Sequence, residues 1–256
     1  MNVFTYDNTF EGLLTLVFES YRQGRYPDEI LSGEGSQCIL FGSAIIVETD
    51  DRKAERVWKG IISHSSEENA HRIYRVFLAD IQDTPLLLAK FICFTINSVK
   101  NEETNFAEPL VLEVHKLHQK VCKEAHRVQM FVRFQKTVEA SYFASFAPLY
   151  DVLPLCIPHF RDRYADQSWI IYDLKRNYGF LYDLKTVSRV VFDELKVNTQ
   201  NGQLLSSLLA EDEKLFQQLW KQYYKSICIQ ERKNDKVHRQ LLPRRFWKYL
   251  PEKTVL

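Results

Sequence analysis

Four motifs that mark common enzyme classes are missing from the 256-residue sequence. It contains neither G-x-x-x-x-G-K-[ST] nor G-x-G-x-x-G, so neither of the usual glycine-rich phosphate-binding loops is expected. It also contains neither G-x-S-x-G nor H-E-x-x-H, which occur in many serine hydrolases and zinc proteases. These absences exclude the commonest nucleotide-binding and hydrolytic sites.

Glycine and proline are scarce, with 8 residues each, which argues against collagen-like, low-complexity or glycine-linker segments. The 5 cysteines include no C-x-x-C pair and mostly lie among apolar residues, so we expect reduced, mostly buried thiols. The longest apolar stretch, 85–96, is interrupted by Lys90 and is shorter than the ~20 residues of a membrane span. Because the N-terminus also lacks a signal-peptide pattern, we expect a cytoplasmic protein that does not contact membranes.

The net charge is close to zero, but the charges are unevenly distributed. Lys and Arg total 34 against 33 Asp and Glu, whereas residues 1–80 carry 8 basic and 13 acidic side chains, a sum of −5. Residues 231–253 carry 8 basic and 3 acidic side chains, a sum of +5. This segment predicts a patch that binds anions, phosphate backbones in particular; the alternative is a solvated helix face.

Hydrophobic spacing predicts a helix-rich α+β fold. Helices are expected at about 10–24, 51–62, 66–81, 85–99, 109–127, 151–164, 211–229 and 243–250. Strands are expected at 44–47, 128–134, 142–146, 168–173, 178–183 and 187–192, and residues 26–43 are expected to be a loop. The strands of the C-terminal half should form one sheet of antiparallel hairpins. We expect a single domain over 1–256, within which a helical lobe of 1–105 could stand apart from an α+β lobe of 106–256.

Four side chains of metal-ligand type, His115, His118, Cys122 and His126, are spaced 3, 4 and 4 residues apart and would share one helix face. A straight helix over this stretch extends about 16 Å, so at most two of the four could reach one ion. The alternative is a polar flank beside the apolar stripe of the same helix. We predict no metal site.

A second constellation combines cationic, acidic and aromatic side chains around the predicted sheet and in the C-terminal segment. Arginine forks suit phosphate, and aromatic rings stack on bases. The candidate nucleic-acid-binding residues are Arg127, Arg133, Arg163, Arg176, Tyr178, Trp169, Arg232, Lys233, Arg239, Arg244 and Arg245. Histidine suits proton transfer near neutral pH, and a carboxylate can orient it. The catalytic candidates are His126, His159, Asp166 and Asp173.

The structural alternative for the same residues stays open. The carboxylates could neutralise the arginines in ion pairs that stabilise the fold, and the aromatic rings could belong to the core.

Several strings of this sequence resemble a bacterial family of proteins assigned to DNA repair or DNA metabolism, whose activity is not established. They are F-T-Y-D-N-T-F-E-G-L-L near the N-terminus, E-A-H-R at 124–127, F-V-R-F at 131–134, H-F-R-D-R-Y at 159–164, the segment Asp166–Gly179, E-R-K-N at 231–234 and R-Q-L-L-P-R-R-F-W-K-Y-L at 239–250. The resemblance extends from Phe4 to Leu250. It implies a functional link to a radical-SAM protein, and related domains are fused to a uracil-DNA glycosylase-like domain.

The expected function is that of an accessory protein that binds nucleic acid in DNA repair and works with a radical-SAM partner. We predict no cofactor in this chain, which has no C-x-x-x-C-x-x-C segment for an iron–sulfur cluster. Two alternatives stay open. One is an enzyme that acts on DNA or a nucleotide with a histidine as general acid or base. The other is a protein-interaction module that does not bind nucleic acid.

Overall fold

Helices and several sheets make up the chain, which confirms the α+β class. The structure is a computed structural model that describes residues 2–32 and 44–253. Most of the glycine-containing part of the predicted loop, with Cys38, lies outside the described residues. The chain divides into two compact units, Met1–Cys122 and Lys123–Leu256.

A parallel three-stranded sheet is part of the first unit. Its central strand β1 (Val3–Tyr6) pairs with β2 (Glu29–Ser32) on one side and with β3 (Ile45–Ile46) on the other. The prediction of a loop over 26–43 is therefore wrong for residues 29–32, and the sequence pattern does not predict β1. β1 spans four residues of which three are buried, so no alternation of polar and apolar side chains marks it as a strand.

Four helices complete the first unit up to residue 97. They are α1 (Phe10–Gln23), α2 (Asp51–His64), α3 (Glu67–Phe77) and α4 (Thr84–Asn97), close to the predicted positions. Local chemistry sets the ends of α1: the Thr9 side chain accepts a hydrogen bond from the Gly12 amide, and Gly24 ends the helix with φ of 62°. The apolar stripes of these helices meet in one core around fully buried side chains such as Leu13 and Ile73.

A long helix, α5 (Pro109–Phe131), follows and contains the division between the units. The predicted strand at 128–134 is wrong, because residues up to 131 continue this helix and the Val132 amide still bonds the Val128 carbonyl at 3.0 Å. Val128 is buried and continues the helical stripe through Val121 and Ala125. Extending an existing helix adds one hydrogen bond per residue, so the short alternation there does not start a strand.

The second unit contains a five-stranded sheet in the order β4-β5-β6-β7-β8. Its strands are β4 (Gln135–Lys136), β5 (Tyr142–Phe146), β6 (Trp169–Asp173), β7 (Tyr178–Tyr182) and β8 (Val187–Val190). The β6–β7 hairpin and its neighbour β8 lie where the sequence predicts them. The expected sheet of hairpins is only roughly matched, because β5 and β6 are parallel and helix α6 (Leu153–Arg163) connects them. A separate two-stranded sheet is formed by β9 (Val197–Asn198) and β10 (Gln203–Leu204).

Three helices close the second unit. α7 (Glu213–Ser226) and α9 (Arg244–Trp247) lie within predicted helices, whereas α8 (Asp235–Leu241) is not predicted. The Asn234 side chain caps α8 by accepting a hydrogen bond from the Val237 amide at 3.1 Å. That asparagine, three residues before an apolar residue, is the local signal for the missed helix.

Two further expectations concern the thiols and the membrane. Cys93, Cys122, Cys156 and Cys228 are free thiols. The expectation that most thiols are buried is wrong for the four described ones: Cys156 is buried, Cys93 and Cys122 are half-buried, and Cys228 is exposed. Among the described helices, none combines the length and the apolar character that crossing a bilayer requires.

Candidate nucleic-acid interface

The segment that carries the most specific resemblance, Asp166–Gly179, forms the β6–β7 hairpin. Asp173 is fully buried, and its carboxylate accepts hydrogen bonds from the Lys175 amide at 2.8 Å and from the Arg176 guanidinium at 2.9 Å. Burial raises the pKa of Asp173, and the Arg176 guanidinium opposes this effect. Arg176 also donates to the Leu149 carbonyl at 3.2 Å. Asp173 and Arg176 therefore stabilise the hairpin turn.

The aromatic side chains of this hairpin are part of the core. Trp169 is fully buried, and the Tyr178 ring is buried while its hydroxyl donates to the Asp151 carboxylate. Gly179 faces the backbone of β6 so closely that a Cβ atom would lie 2.4 Å from the Ile171 carbonyl oxygen. Neither Trp169 nor Tyr178 presents a ring face on which a base could stack, so these aromatic residues stabilise the hairpin.

A buried carboxylate, Glu124 of α5, binds two of the predicted arginines. Its exposed fraction is 1%, and it pairs with the Arg245 guanidinium and, at 3.7 Å, with Arg127. It also accepts a hydrogen bond from the Leu149 amide at 3.0 Å. Because an unpaired carboxylate at this depth is costly, Arg245 and Arg127 serve the fold at this position. Glu124 was not among the predicted site residues.

Arg133 is a third predicted arginine that pairs within the protein. Its guanidinium donates to the Glu252 carboxylate at 2.7 Å and to the Met130 and Val132 carbonyls at 3.1 Å each. It also lies over the Trp220 ring at 5.3 Å. Arg133 therefore attaches the C-terminal segment to the end of α5.

Among the described residues, the catalytic candidates do not form a hydrogen-bonded group. His126, His159 and Asp166 are exposed, whereas Asp173 is buried in the hairpin turn. Arg163, at the end of α6, is exposed. Within the described residues, no hydrogen bond or ion pair joins any two of the three exposed candidates. The general acid–base arrangement that the enzyme alternative needs is not assembled in this structure.

The four side chains of the predicted stripe on α5 lie in different surroundings. His118 lies 3.2 Å from the Cys122 sulfur and 3.5 Å from the Arg75 guanidinium. Burial, reinforced by the neighbouring arginines, lowers the pKa of His118 to about 4. His115 packs against Phe106, and His126 is exposed. Over residues 2–32 and 44–253, no three His, Cys, Asp or Glu side chains are grouped so that they could hold a metal ion.

The C-terminal helices enclose a different site, which we call the C-terminal groove. It has a volume of about 530 Å³. Its lining contains four basic side chains and no acidic one; the basic residues are Lys225, Arg232, Lys233 and Lys253. The remaining lining residues are Tyr224, Cys228, Ile229, Gln230, Asn234, Val237, His238 and Leu241. A cationic groove with apolar and aromatic walls has the composition of single-strand-binding surfaces.

Among residues 2–32 and 44–253, no strong ion pair neutralises the charge in the C-terminal groove. The nearest carboxylate contact is Asp235, 3.9 Å from the Lys233 ammonium, with both side chains exposed. Lys253 donates to the Tyr224 hydroxyl at 2.6 Å and lies over the Trp247 ring, and both partners are uncharged. Burial and the adjacent Lys253 lower the pKa of His238, which fits a positive potential in the groove.

Two further predicted cations lie next to the groove on α8 and α9. Arg239 and Arg244 are exposed; Arg239 contacts the Asp235 carbonyl, and Arg244 lies over the Trp247 ring at 5.8 Å. Together with Arg232 and Lys233 they form the exposed part of the predicted basic patch. Lys225, Lys253 and His238 were not among the candidate binding residues, although Lys253 and His238 lie in the predicted basic segment 231–253. Only the packing of α7 against α8 and the C-terminal segment brings all three to the same groove.

A second cavity, which we call the aromatic cavity, has a volume of about 470 Å³ and lies between β4, β5, α7 and the segment that follows α9. Five aromatic rings line it: Phe134, Tyr142, Phe216, Trp220 and Tyr249. Its charged lining residues are Arg133, Lys136, Asp212 and Glu213. Lys136 pairs with Asp212 at 2.7 Å, and the buried Glu213 accepts hydrogen bonds from the Lys136 amide and the Gln217 side chain.

Comparison with known proteins identifies one family. A family model for a domain of unknown function, DUF4130, matches residues 82–252, about two thirds of the chain. The match includes Glu124, the β6–β7 hairpin and most of the C-terminal groove. No curated protein matches the chain, and no solved structure does.

Proposed function

We propose that this chain, which belongs to the family of the DUF4130 domain of unknown function, binds nucleic acid in the C-terminal groove. The observation that carries the proposal is the lining of that groove, with four basic side chains, no acidic one and a tyrosine ring. Phosphate groups need cations that are not held in strong ion pairs, and among the described residues the only carboxylate contact of the groove cations is the exposed one between Lys233 and Asp235. The buried ion pairs of Arg133, Arg176 and Arg245 support the same choice, because they remove those arginines from the set of ligand-binding groups.

The biological setting that we propose follows from the sequence resemblance. It is an accessory role in DNA repair or DNA metabolism, with DNA as the ligand and a radical-SAM protein as the functional partner. A uracil-DNA glycosylase-like protein is a further proposed partner, because related domains are fused to one. In this setting the chain holds the strand, and the partner supplies the chemistry.

Fluorescence anisotropy with a labelled short oligothymidylate tests the proposal. The test variant is Arg232→Gln combined with Lys233→Gln, which removes two charges from exposed positions of the groove. We expect the affinity at physiological salt to fall roughly tenfold, because each lost phosphate contact removes its share of counterion release.

A matched control removes two charges elsewhere. Lys116→Gln with Lys120→Gln alters two exposed lysines one helical turn apart on α5, and we expect it to bind as the unaltered protein does. If both double variants lose affinity equally, the binding depends on overall charge and the groove assignment is wrong. If the unaltered protein fails to bind at low salt, the proposed function is wrong.

A second candidate function, protein interaction, is favoured by the outer face of α7. Five of its apolar side chains are about half exposed: Leu215, Phe216, Leu219, Tyr223 and Ile227. Lys214, Lys221 and Lys225 project from the opposite side of the same helix. An exposed apolar patch of this kind fits a partner with an apolar surface, and the occupant that we propose is the radical-SAM protein.

The interaction is tested by mixing the two purified proteins in analytical ultracentrifugation. Leu219→Glu combined with Tyr223→Glu should abolish a complex, whereas Gln218→Glu and Gln222→Glu, on the same helix, should preserve it. No complex with the unaltered protein, or a complex that survives the first pair of substitutions, would exclude this surface.

A further inference from the structure

The aromatic cavity differs in chemistry from the C-terminal groove. Its lining holds two basic residues and two acidic residues, so the formal charges cancel. Both cations are already engaged, Lys136 by Asp212 and Arg133 by Glu252. A phosphate or another anion therefore finds no unpaired cation there. The cavity suits an uncharged group.

The shape and walls indicate a flat group. Five aromatic rings surround a volume of about 470 Å³, within the usual range for small-molecule sites. The Trp220 ring is held in place, because its indole N–H donates to Glu252 at 2.8 Å and its face lies against Arg133. Phe216 is about half exposed at the cavity rim, so its ring can contact a ligand without a rearrangement of the core.

Uncharged donors and acceptors complete the lining. The Gln203 side chain uses its oxygen to accept a hydrogen bond from Asn201, and the Gln217 side chain uses its nitrogen to donate to Glu213. The lining also contains the Tyr249 hydroxyl, which is buried and has no hydrogen-bonding partner among the described residues. An aromatic ring with donors and acceptors along its edge is the complementary ligand, and nucleobases have that structure.

The two sites share walls in the same unit. α7 contributes Phe216 and Trp220 to the aromatic cavity and Tyr224 and Lys225 to the C-terminal groove. Trp220 and Tyr224 lie four residues apart, about 6 Å along the helix axis. That distance is about two nucleotides at the 3.4 Å spacing of one stacked strand. A strand whose phosphates lie in the groove can therefore place a neighbouring base in the cavity.

We propose that the aromatic cavity binds one unpaired nucleobase of the strand whose phosphates lie in the C-terminal groove. This inference rests on the proposed nucleic-acid binding and adds a preference for single-stranded or locally unpaired substrate. Base–aromatic stacking accounts for a large share of affinity at such sites, so removing one ring should weaken binding roughly 5- to 150-fold.

The test uses two oligothymidylates of equal length, one with a central 2-aminopurine and one with an abasic residue at that position. Both carry the same phosphates, so a difference between them reports the base alone. We expect quenching of the 2-aminopurine fluorescence on binding, and weaker binding of the abasic strand. Phe216→Ala should reduce both effects, whereas Leu219→Ala, an exposed residue of the same helix outside the cavity lining, should leave them unchanged.

The outcomes separate the two proposals. Equal affinity for both strands, unquenched fluorescence, or equal effects of the two alanine variants would overturn the base site and leave phosphate binding in place. If neither strand binds at low salt, nucleic-acid binding itself is refuted.

Discussion

Arg244 and Arg245 are neighbours in sequence but have different roles. Replacing each in turn by methionine distinguishes the two roles. Arg245 pairs with Glu124, whose exposed fraction is 1%, whereas Arg244 is exposed and contacts only the Trp247 ring among the described residues. Methionine keeps much of the apolar stem of either arginine and removes the charge. The change at 245 leaves Glu124 with the Leu149 amide at 3.0 Å and Arg127 at 3.7 Å.

The expected loss of stability follows from the burial of the pair. Removing one partner of a fully buried pair costs about 3–5 kcal/mol. The Arg245 side chain is 32% exposed, so solvent screening reduces the expected loss in the free energy of unfolding to about 2–3 kcal/mol. For Arg244→Met we expect a loss below about 0.5 kcal/mol, because an exposed cation–π contact contributes little.

Urea unfolding followed by tryptophan fluorescence measures both values. Three of the four tryptophans, Trp169, Trp220 and Trp247, lie in the second unit, so the signal reports mainly on the unit that contains this pair. A double-mutant cycle of Arg245→Met with Glu124→Gln should give a coupling of about 1–3 kcal/mol. Equal losses for Arg244→Met and Arg245→Met, or no coupling with Glu124, would refute the structural role of Arg245.

Three further predictions follow from other parts of the molecule. If four groove cations contact phosphates of a single strand, the plot of log affinity against log salt concentration should have a slope of about −3. The affinity should then fall roughly 50-fold between 50 and 200 mM salt, and binding independent of salt would contradict this. Gly179→Ala should destabilise the protein by about 1–3 kcal/mol, because the added Cβ would meet the Ile171 carbonyl. Gly60→Ala should stabilise it by up to about 1 kcal/mol, because this glycine lies in a helix and the added Cβ would meet only Ile96 at 3.8 Å. Denaturation experiments that give the same sign for both variants would contradict this. The folded-state pKa of His118, about 4, lies below the unfolded value of about 6.5, so its contribution to stability is complete above pH 6.5 and is lost as the pH falls. His118→Gln should therefore reduce the loss of unfolding free energy between pH 7 and 5 by on the order of 1 kcal/mol. A profile for this variant that runs parallel to that of the unaltered protein would contradict this.

Much of the fold could be predicted from local sequence patterns. The β6–β7 hairpin follows from two alternating runs around a short turn, and α2 to α4 follow from their apolar spacing and first-turn residues. The parallel sheet of the first unit could not be predicted this way. β1 is four residues long, and the residues of β2 that pair with it lie 26 positions later, so the pairing depends on the packing of α1 between the two strands.

The candidate site was predicted in part, because charge alone does not separate structural from ligand-binding arginines. The basic composition of 231–253 indicates an anion-binding surface, and the exposed Arg232, Lys233, Arg239 and Arg244 lie there. Arg245 has the same local sequence context but pairs with Glu124, which is 121 residues away. Only the tertiary structure shows that pairing, and only the tertiary structure brings Lys253 to α7.

The central claim is that nucleic acid binds in the C-terminal groove and the adjoining aromatic cavity. Ultraviolet cross-linking of the bound oligothymidylate, followed by mass spectrometry of the peptides, maps the contact directly. We expect cross-links at Tyr224 and at cavity residues such as Phe216 or Trp220. Cross-links confined to the β6–β7 hairpin or to the first unit would contradict the account.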